Sequence, residues 1–151
     1  MRRILNETGF KNVLMVENQK LPDAEFTNAK PVPNPEEPGV YKHAVKSAIK
    51  YDADLIIATD PDCDRVGVMT KKSENRYVLL SGNQVGVLLM DYVLSMRQEA
   101  SELPHNSFIV KSIVTTEMAK VIADSYNVEL IDVLTGFKYI GEKIKELDEF
   151  G

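Results

Sequence analysis

The sequence predicts an α/β fold, in which apolar strands alternate with amphipathic helices. Ala53–Thr59 is an apolar run that ends abruptly at Asp60, as a buried strand does. From Phe108 to Leu147 the pattern reads strand, helix, strand, helix. A chain of 151 residues, 44% of them hydrophobic and 27% charged, can also bury a core. We expect a mixed, largely parallel sheet with helices on both faces, followed by the first part of a second α/β domain.

Element by element, the first half of the chain is expected to be helix, strand, loop, helix and three strands. Five of the seven prolines lie within residues 18–39, which predicts the loop. The next helix is expected to begin at Pro35 or Pro38 and to bury a stripe at helical spacing. That stripe is Val40, Tyr41, Ala44, Val45, Ala48 and Ile49. The remaining predicted elements are a helix at Arg2–Thr8 ended by Gly9, strands at Val13–Val16 and Ala53–Thr59, and a hairpin of Val66–Thr70 and Tyr77–Leu80.

The second half is expected to begin with a helix capped by Asn83. Its predicted buried stripe is Val85, Leu88, Leu89, Tyr92, Val93 and Met96. The polar stretch Arg97–Asn106 contains Pro104, which places a domain boundary near residue 105 and divides the chain into 1–105 and 106–151. The predicted elements after it are Phe108–Lys111, Glu117–Ser125, Val128–Val133 and Lys138–Leu147. A second unit of about 45 residues is short for an independent domain.

Composition excludes several classes of protein. The chain carries 23 acidic and 18 basic residues, a net charge of −5, which argues against general nucleic-acid binding. The single cysteine, Cys63, excludes an internal disulfide, and its thiol is a poor ligand for Mg²⁺. The longest apolar runs are too short to span a bilayer. We expect a soluble protein of the reducing cytoplasm with no membrane partner.

The residues that point to chemistry are Asp60–Arg65. Three carboxylates, Asp60, Asp62 and Asp64, alternate directly after a buried strand, where α/β proteins place ligand sites. Alternation allows a turning backbone to aim them at one point, where their charges repel unless a cation lies between them. Oxygen-only ligands select a hard ion, and three carboxylates with open positions suit Mg²⁺ serving a phosphate substrate. A solvated acidic turn is the alternative interpretation.

Two other kinds of acidic loop have similar sequences. A calcium-binding EF-hand loop needs glycine at its sixth position and glutamate at its twelfth, where this chain has Arg65 and Lys71. Haloacid-dehalogenase-type phosphatases also place Asp-x-Asp at a strand end. Their pattern has threonine or valine where this chain has Asp64, and it needs a later acidic motif that the sequence lacks. Such a phosphatase stays the second choice.

The sequence resembles the α-D-phosphohexomutases, the family of phosphoglucomutase and phosphomannomutase. Thr59–Val68 resembles the metal loop of that family, and Gly9–Val13 and Pro33–Pro38 resemble its lead-in. Ser81–Gln84 resembles the segment that opens the following helix, and Leu134–Gly141 resembles a sugar-contacting loop early in the third domain. Ordered matches over nearly the whole chain are more specific than any single motif. The phosphoglucomutase and phosphopentomutase branch is the most similar.

The resemblance implies a four-domain enzyme that interconverts hexose 1-phosphate and 6-phosphate through an enzyme phosphoserine and a bisphosphorylated sugar. It implies that Asp60, Asp62 and Asp64 hold Mg²⁺, which neutralises charge on the serine-bound phosphoryl group. Arg65 would be catalytic, in contact with the phosphoryl group that is transferred. A salt bridge that balances the aspartates is the alternative role for Arg65.

The same resemblance assigns substrate binding to Thr135, Gly136 and Phe137, and proton transfer at the sugar hydroxyl to Lys138. A lysine in that role needs a pKa lowered by burial or nearby cations. An ordinary lysine at a helix start is the alternative for Lys138, and a turn residue with positive φ is the alternative for Gly136.

By the same resemblance, the chain is most of domain II, without its first strand, and the start of domain III. The Ser-His segment of the family's nucleophile is absent, since no serine here precedes a histidine, so we expect the chain alone to be inactive. A missing strand would leave a sheet edge through which two copies could dimerise. Other possible functions are a phosphopentomutase of the same family and a non-catalytic magnesium-binding α/β module.

Overall fold

The structure, a computed structural model, describes residues 2–150, with side chains as far as Glu149. The chain forms two compact units that divide after Gly82. Each combines helices with a small sheet, which confirms the predicted α/β class. The division lies ahead of the boundary expected near residue 105, because the helix in between packs with the second unit: its Leu94 contacts Ala123 and Val128.

Over its described residues, the first unit contains two α-helices and three strands. They are α1 (Arg2–Glu7), α2 (Lys42–Tyr51), β1 (Leu55–Thr59), β2 (Val66–Ser73) and β3 (Arg76–Leu79). Gly9, with φ +98°, follows α1 as predicted. A 3₁₀ turn at Pro38–Tyr41 leads directly into α2. Glu37 is the N-cap of this 3₁₀ turn and Pro38 is in its first turn, a position that fits the fixed φ of proline.

The sheet of the first unit is antiparallel throughout, in the order β1-β2-β3. Ile57 lies opposite Val68, and Thr70 lies opposite Val78. The predicted hairpin of β2 and β3 is confirmed, whereas the expectation of a largely parallel sheet fails for this unit. Short connections explain the difference, because parallel neighbours need a crossover of a dozen or more residues.

The core of this unit lies between α2 and one face of the sheet. Its buried residues are Val40, Tyr41, Ala44, Ala48, Ile56 and Met69. The strand expected at Val13–Val16 does not form, and Leu14 and Met15 are exposed. Within residues 2–150 no strand pairs with this segment, and an extended segment without a hydrogen-bonded neighbour is not a strand.

In the part of the second unit that the structure describes, there are three α-helices and two strands. They are α3 (Gly82–Glu99), β4 (Phe108–Ser112), α4 (Met118–Ser125), β5 (Glu129–Val133) and α5 (Phe137–Phe150). The strands β4 and β5 are parallel, with Ile109 opposite Leu130 and Ser112 opposite Val133. Their carboxyl ends therefore lie side by side, so the loops that follow them leave the same edge of the sheet.

The face of α3 that is buried differs from the predicted one. Leu94 is buried and Met90 packs beside it, while Leu88, Leu89 and Tyr92 of the predicted stripe are exposed. The helix carries apolar residues on most of its surface, so their spacing alone does not show which face is buried. Asn83 lies inside α3 instead of capping it, and its side-chain oxygen accepts a hydrogen bond from the Thr116 amide (3.1 Å). No helix in the described part of the chain combines the length and apolarity needed to cross a membrane.

Candidate functional site

The acidic loop, residues Asp60–Arg65, connects β1 to β2. Thr59 and Val66 are the last paired residues of the two strands, so the loop closes a hairpin. Within it, the Cys63 amide donates to the Asp60 carbonyl oxygen at 3.2 Å, and Cys63 takes a left-handed conformation with φ +62°. The strand pairing thus fixes both ends of a short turn that carries three carboxylates.

The three aspartates of the acidic loop converge. One carboxylate oxygen from each of Asp60, Asp62 and Asp64 lies within 4.8 Å of the other two. Asp60 is buried, with 2% of its surface exposed, while Asp62 and Asp64 are exposed. The convergence inferred from alternation is therefore present, with one carboxylate buried in the protein and two facing solvent.

Arg65 binds the buried carboxylate at both oxygens. Its backbone amide donates to Oδ1 of Asp60 at 3.1 Å, and its Nε donates to Oδ2 at 2.8 Å. Burial alone would raise the pKa of Asp60, but the hydrogen bonds from Arg65 and Asp64 and the charge of the guanidinium lower that pKa to about 2.

Asp64 is affected in the opposite direction. Its hydrogen bond with Asp60 raises the pKa of Asp64, and partial burial and the charges of Asp60 and Asp62 add to the rise. The guanidinium of Arg65, 3.7 Å from Oδ1 of Asp64, opposes it. Excess negative charge is therefore concentrated at this loop. A hard divalent cation would relieve it, and an all-oxygen donor set fits Mg²⁺.

A buried contact beneath the acidic loop was not foreseen from the sequence. The hydroxyl of Tyr41 donates to the carbonyl oxygen of Pro35 at 2.7 Å, and both residues are fully buried. Gly67, the second residue of β2, lies so close to this hydrogen bond that a β-carbon at position 67 would overlap the Tyr41 hydroxyl and the Pro35 carbonyl. The sequence analysis interprets Pro33–Pro38 as a loop, a helix start and a lead-in to the metal loop, but it does not predict the contact with Tyr41. The contact anchors this segment beside the strand that follows the acidic loop.

The segment predicted to contact the sugar, residues Thr135–Lys138 and called the sugar loop below, follows β5 in the second unit. Gly136 has φ +133°, a conformation that other residues rarely adopt, and α5 begins directly after it at Phe137. All four residues are exposed, and Phe137 is 86% exposed. The Nζ of Lys138 lies 4.6 Å from the centre of the Tyr139 ring, a cation–π contact. The loop thus presents an aromatic ring and an ammonium group to solvent.

Sequence models of one family match both halves of the chain. Residues 1–74 match phosphoglucomutase/phosphomannomutase alpha/beta/alpha domain II, and residues 81–151 match alpha/beta/alpha domain III of the same family. The chain belongs to the phosphoglucomutase/phosphomannomutase family. The recognition from sequence motifs is confirmed, and the two matches meet close to the division after Gly82.

Individual members of the family give the same result. The chain is 38% identical over 146 residues to the phosphoglucomutase of Staphylococcus aureus strain USA300, and 37% identical to that of strain N315. These alignments cover 97% of the chain but 26% of each relative, so the chain spans about a quarter of their length. A crystal structure of a phosphoglucomutase/phosphomannomutase family protein from Burkholderia thailandensis shares the fold. Its TM-score is 0.59 at 22% identity, over 76% of this chain and 22% of that one.

Proposed function

We propose that the chain supplies the metal loop and a sugar-contacting loop of a phosphohexomutase that interconverts hexose 1-phosphate and 6-phosphate. The reaction proceeds through an enzyme phosphoserine and a bisphosphorylated sugar, with glucose phosphates as the preferred substrates. The convergence of three carboxylates at the end of β1, in a chain of this family, carries the proposal.

In this proposal Asp60, Asp62 and Asp64 hold Mg²⁺, which when bound supplies positive charge next to a phosphoryl group. Asp60 is fixed by its two bonds to Arg65, and the exposed carboxylates of Asp62 and Asp64 would supply the other two protein ligands. The side chain of Arg65 is 55% exposed, so the guanidinium N–H groups other than Nε can reach a phosphoryl oxygen. Phosphoryl transfer depends mainly on such positioning and charge.

In the second unit, we propose that the sugar loop binds the sugar. Thr135 and Gly136 offer a hydroxyl and backbone groups to the sugar, and Phe137 offers a ring face against which a sugar can pack. Lys138 exchanges a proton with the sugar hydroxyl that gains or loses the phosphoryl group. The exposure of Thr135, Gly136 and Phe137 supports a binding role, since none of them is packed in the core. The role of Lys138 rests on the family resemblance alone.

Calorimetric titration with Mg²⁺ tests the metal loop directly. We expect Asp62→Asn to weaken binding by more than roughly tenfold, because one of three ligand charges is lost. Glu74→Gln is the matched control: it removes the same charge from an exposed turn of the same unit and should bind as the parent does. Equal binding by the parent and Asp62→Asn would contradict the assignment of the ligands.

Conversion of glucose 1-phosphate into glucose 6-phosphate tests whether this chain can catalyse the reaction without the rest of the enzyme. The 151 residues contain no Ser-His pair of the kind that carries the phosphoryl group in the family. We therefore expect no turnover by this chain alone, with or without glucose 1,6-bisphosphate. Turnover by the chain, abolished by Asp62→Asn, would mean that a different nucleophile acts here.

A further inference from the structure

A buried lysine in the second unit takes no part in the proposed reaction. The side chain of Lys111, on β4, is 5% exposed, and its Nζ lies 2.6 Å from Oδ1 of Asp132 on β5. The same Nζ lies 3.2 Å from Oε1 of Glu117, at the start of α4, and donates to the carbonyl oxygen of Thr115 at 3.3 Å. One ammonium group thus joins β5 to the connection between β4 and α4.

That connection begins with a turn, residues Ser112–Thr116, that is bonded on several sides. The Thr115 amide donates to the Ser112 carbonyl at 2.9 Å, and the side chains of these two residues are hydrogen-bonded at 3.1 Å. The Ile113 amide donates to the Val133 carbonyl at 2.9 Å. Val133 is the last residue of β5, two positions before the sugar loop. The turn and the sugar loop therefore leave neighbouring ends of two parallel strands, and Lys111 contacts the turn at Thr115 and β5 at Asp132.

We propose that Lys111 is a positioning residue, whose ammonium group clamps the Ser112–Thr116 turn to β5 and so holds the sugar loop in place for a phosphosugar. The clamp rests on the proposed function only in its last step. Lys111 acts through Asp132, three residues before Thr135, and through the carbonyl of Thr115. Both carboxylate partners are partly exposed, with Asp132 at 47%, so loss of the ammonium group leaves no buried carboxylate without a partner. The Lys111→Met variant is therefore expected to fold.

Amide hydrogen exchange on the chain, compared between variants, tests the clamp without any substrate. In Lys111→Met we expect exchange at Ile113, Thr115 and Tyr139 to be at least about tenfold faster, the effect of losing hydrogen bonds to a charged group. The Tyr139 amide, bonded to the Gly136 carbonyl at 3.1 Å, reports on the sugar loop. The amide of Val128, bonded to Ala123 in the core, should be unchanged.

Two variants separate positioning from general stability. Lys111→Arg, which keeps a cation, should restore slow exchange, and Lys120→Met, which breaks the exposed pair of Lys120 with Asp124 on α4, should have no effect. If amide exchange at Val128 in Lys111→Met becomes faster by the same factor as at Ile113, the proposed role of Lys111 is wrong. It is also wrong if the exchange rates at Ile113, Thr115 and Tyr139 do not change.

Binding of glucose 1-phosphate, followed at the amides of Gly136 and Phe137, tests the last step. We expect roughly tenfold weaker binding in Lys111→Met and recovery in Lys111→Arg. Binding that is equal in all three proteins would overturn the link to the sugar. An absence of binding by the parent chain would count against the proposed sugar loop, while exchange still decides the clamp.

Discussion

Arg65 holds both carboxylate oxygens of Asp60, one with its backbone amide and the other with its guanidinium Nε. A single residue thereby orients the buried member of the three-aspartate cluster and offsets part of its charge. Since the amide contact does not depend on the side chain, the geometry of Asp60 has one support that substitutions at position 65 leave intact. The electrostatic support, by contrast, comes from the side chain.

The separate contributions of the Arg65 backbone amide and side chain predict the result of Arg65→Gln. The pKa of Asp60, lowered to about 2 in the parent, should rise toward its ordinary value of 3.8, because the guanidinium hydrogen bond and its charge are lost. Carboxyl ¹³C chemical shifts, followed by NMR against pH in the presence of EDTA, measure this change. Arg76→Gln, in the exposed first position of β3, is the control and should leave the titration of Asp60 unaltered. A pKa of Asp60 that stays near 2 in Arg65→Gln would show that the ion pair has no effect.

Gly67→Ala is predicted to be strongly destabilising. A β-carbon at position 67 would overlap the Tyr41 hydroxyl and the Pro35 carbonyl, and neither group can move without breaking their buried hydrogen bond. We expect the free energy of unfolding to fall by about 1–3 kcal/mol, as overpacking of a core does. Gly86→Ala in α3 is the control: its β-carbon meets nothing within 4 Å, and alanine favours the helix by about 1 kcal/mol. Thermal unfolding followed by circular dichroism measures both.

Tyr41→Phe should change how stability depends on alkaline pH. Burial raises the pKa of Tyr41 from 10.0 to about 12. Between these values the unfolded chain releases the proton while the folded chain keeps it, so the free energy of unfolding falls as pH rises from 10 to 12. The phenylalanine variant lacks that part of the fall. At pH 7 it should be about 1–3 kcal/mol less stable, because the buried Pro35 carbonyl loses its donor.

Urea unfolding at a series of pH values checks this prediction. Tyr51→Phe is the control, because Tyr51 is exposed at the end of α2 and its hydroxyl lies outside the core. Parallel stability curves for the parent and Tyr41→Phe above pH 10 would argue against a buried, hydrogen-bonded Tyr41.

The sequence was sufficient to predict elements that local patterns define. The strand before Asp60, the hairpin of β2 and β3, and the turn at Gly136 all depend on residues close in the chain, and all appear in the structure. The convergence of the three aspartates followed from their alternation in the same way. Short-range periodicity and turn chemistry carry this information.

Features that depend on distant partners were not predicted. Val13–Val16 has the composition of a strand, but strand formation requires a neighbour that sequence spacing cannot supply. The buried face of α3 depends on where Ala123 and Val128 lie, since the helix is apolar nearly all round. Lys111 was missed for the same reason: nothing near it in the sequence indicates that Asp132 will lie beside it across a parallel strand pair.

Cys63 provides a test of which residues in the acidic loop are ligands. Its thiol lies 3.5 Å from the Thr59 hydroxyl, and its backbone is left-handed, with φ +62°. Cys63→Gly should therefore keep Mg²⁺ affinity and gain up to about 1 kcal/mol in stability, since glycine accepts this conformation without strain. Cys63→Val, with a branched side chain at the same φ, should lose about 1–3 kcal/mol. Calorimetry and thermal unfolding report the two quantities, and a large loss of Mg²⁺ affinity in Cys63→Gly would make the thiol part of the site.

Phe137→Ala separates a substrate contact from a core residue. Because Phe137 is 86% exposed, truncation should change the free energy of unfolding by no more than about 0.5 kcal/mol. If the ring packs against a bound sugar, the same variant should weaken glucose 1-phosphate binding by several-fold, about 1 kcal/mol. Ile144→Ala, a partly exposed apolar residue further along α5, controls for loss of apolar surface without a change in the loop. A protein that loses stability but not binding would place the ring in the packing of α5, and the assignment of Phe137 to the sugar would then be wrong.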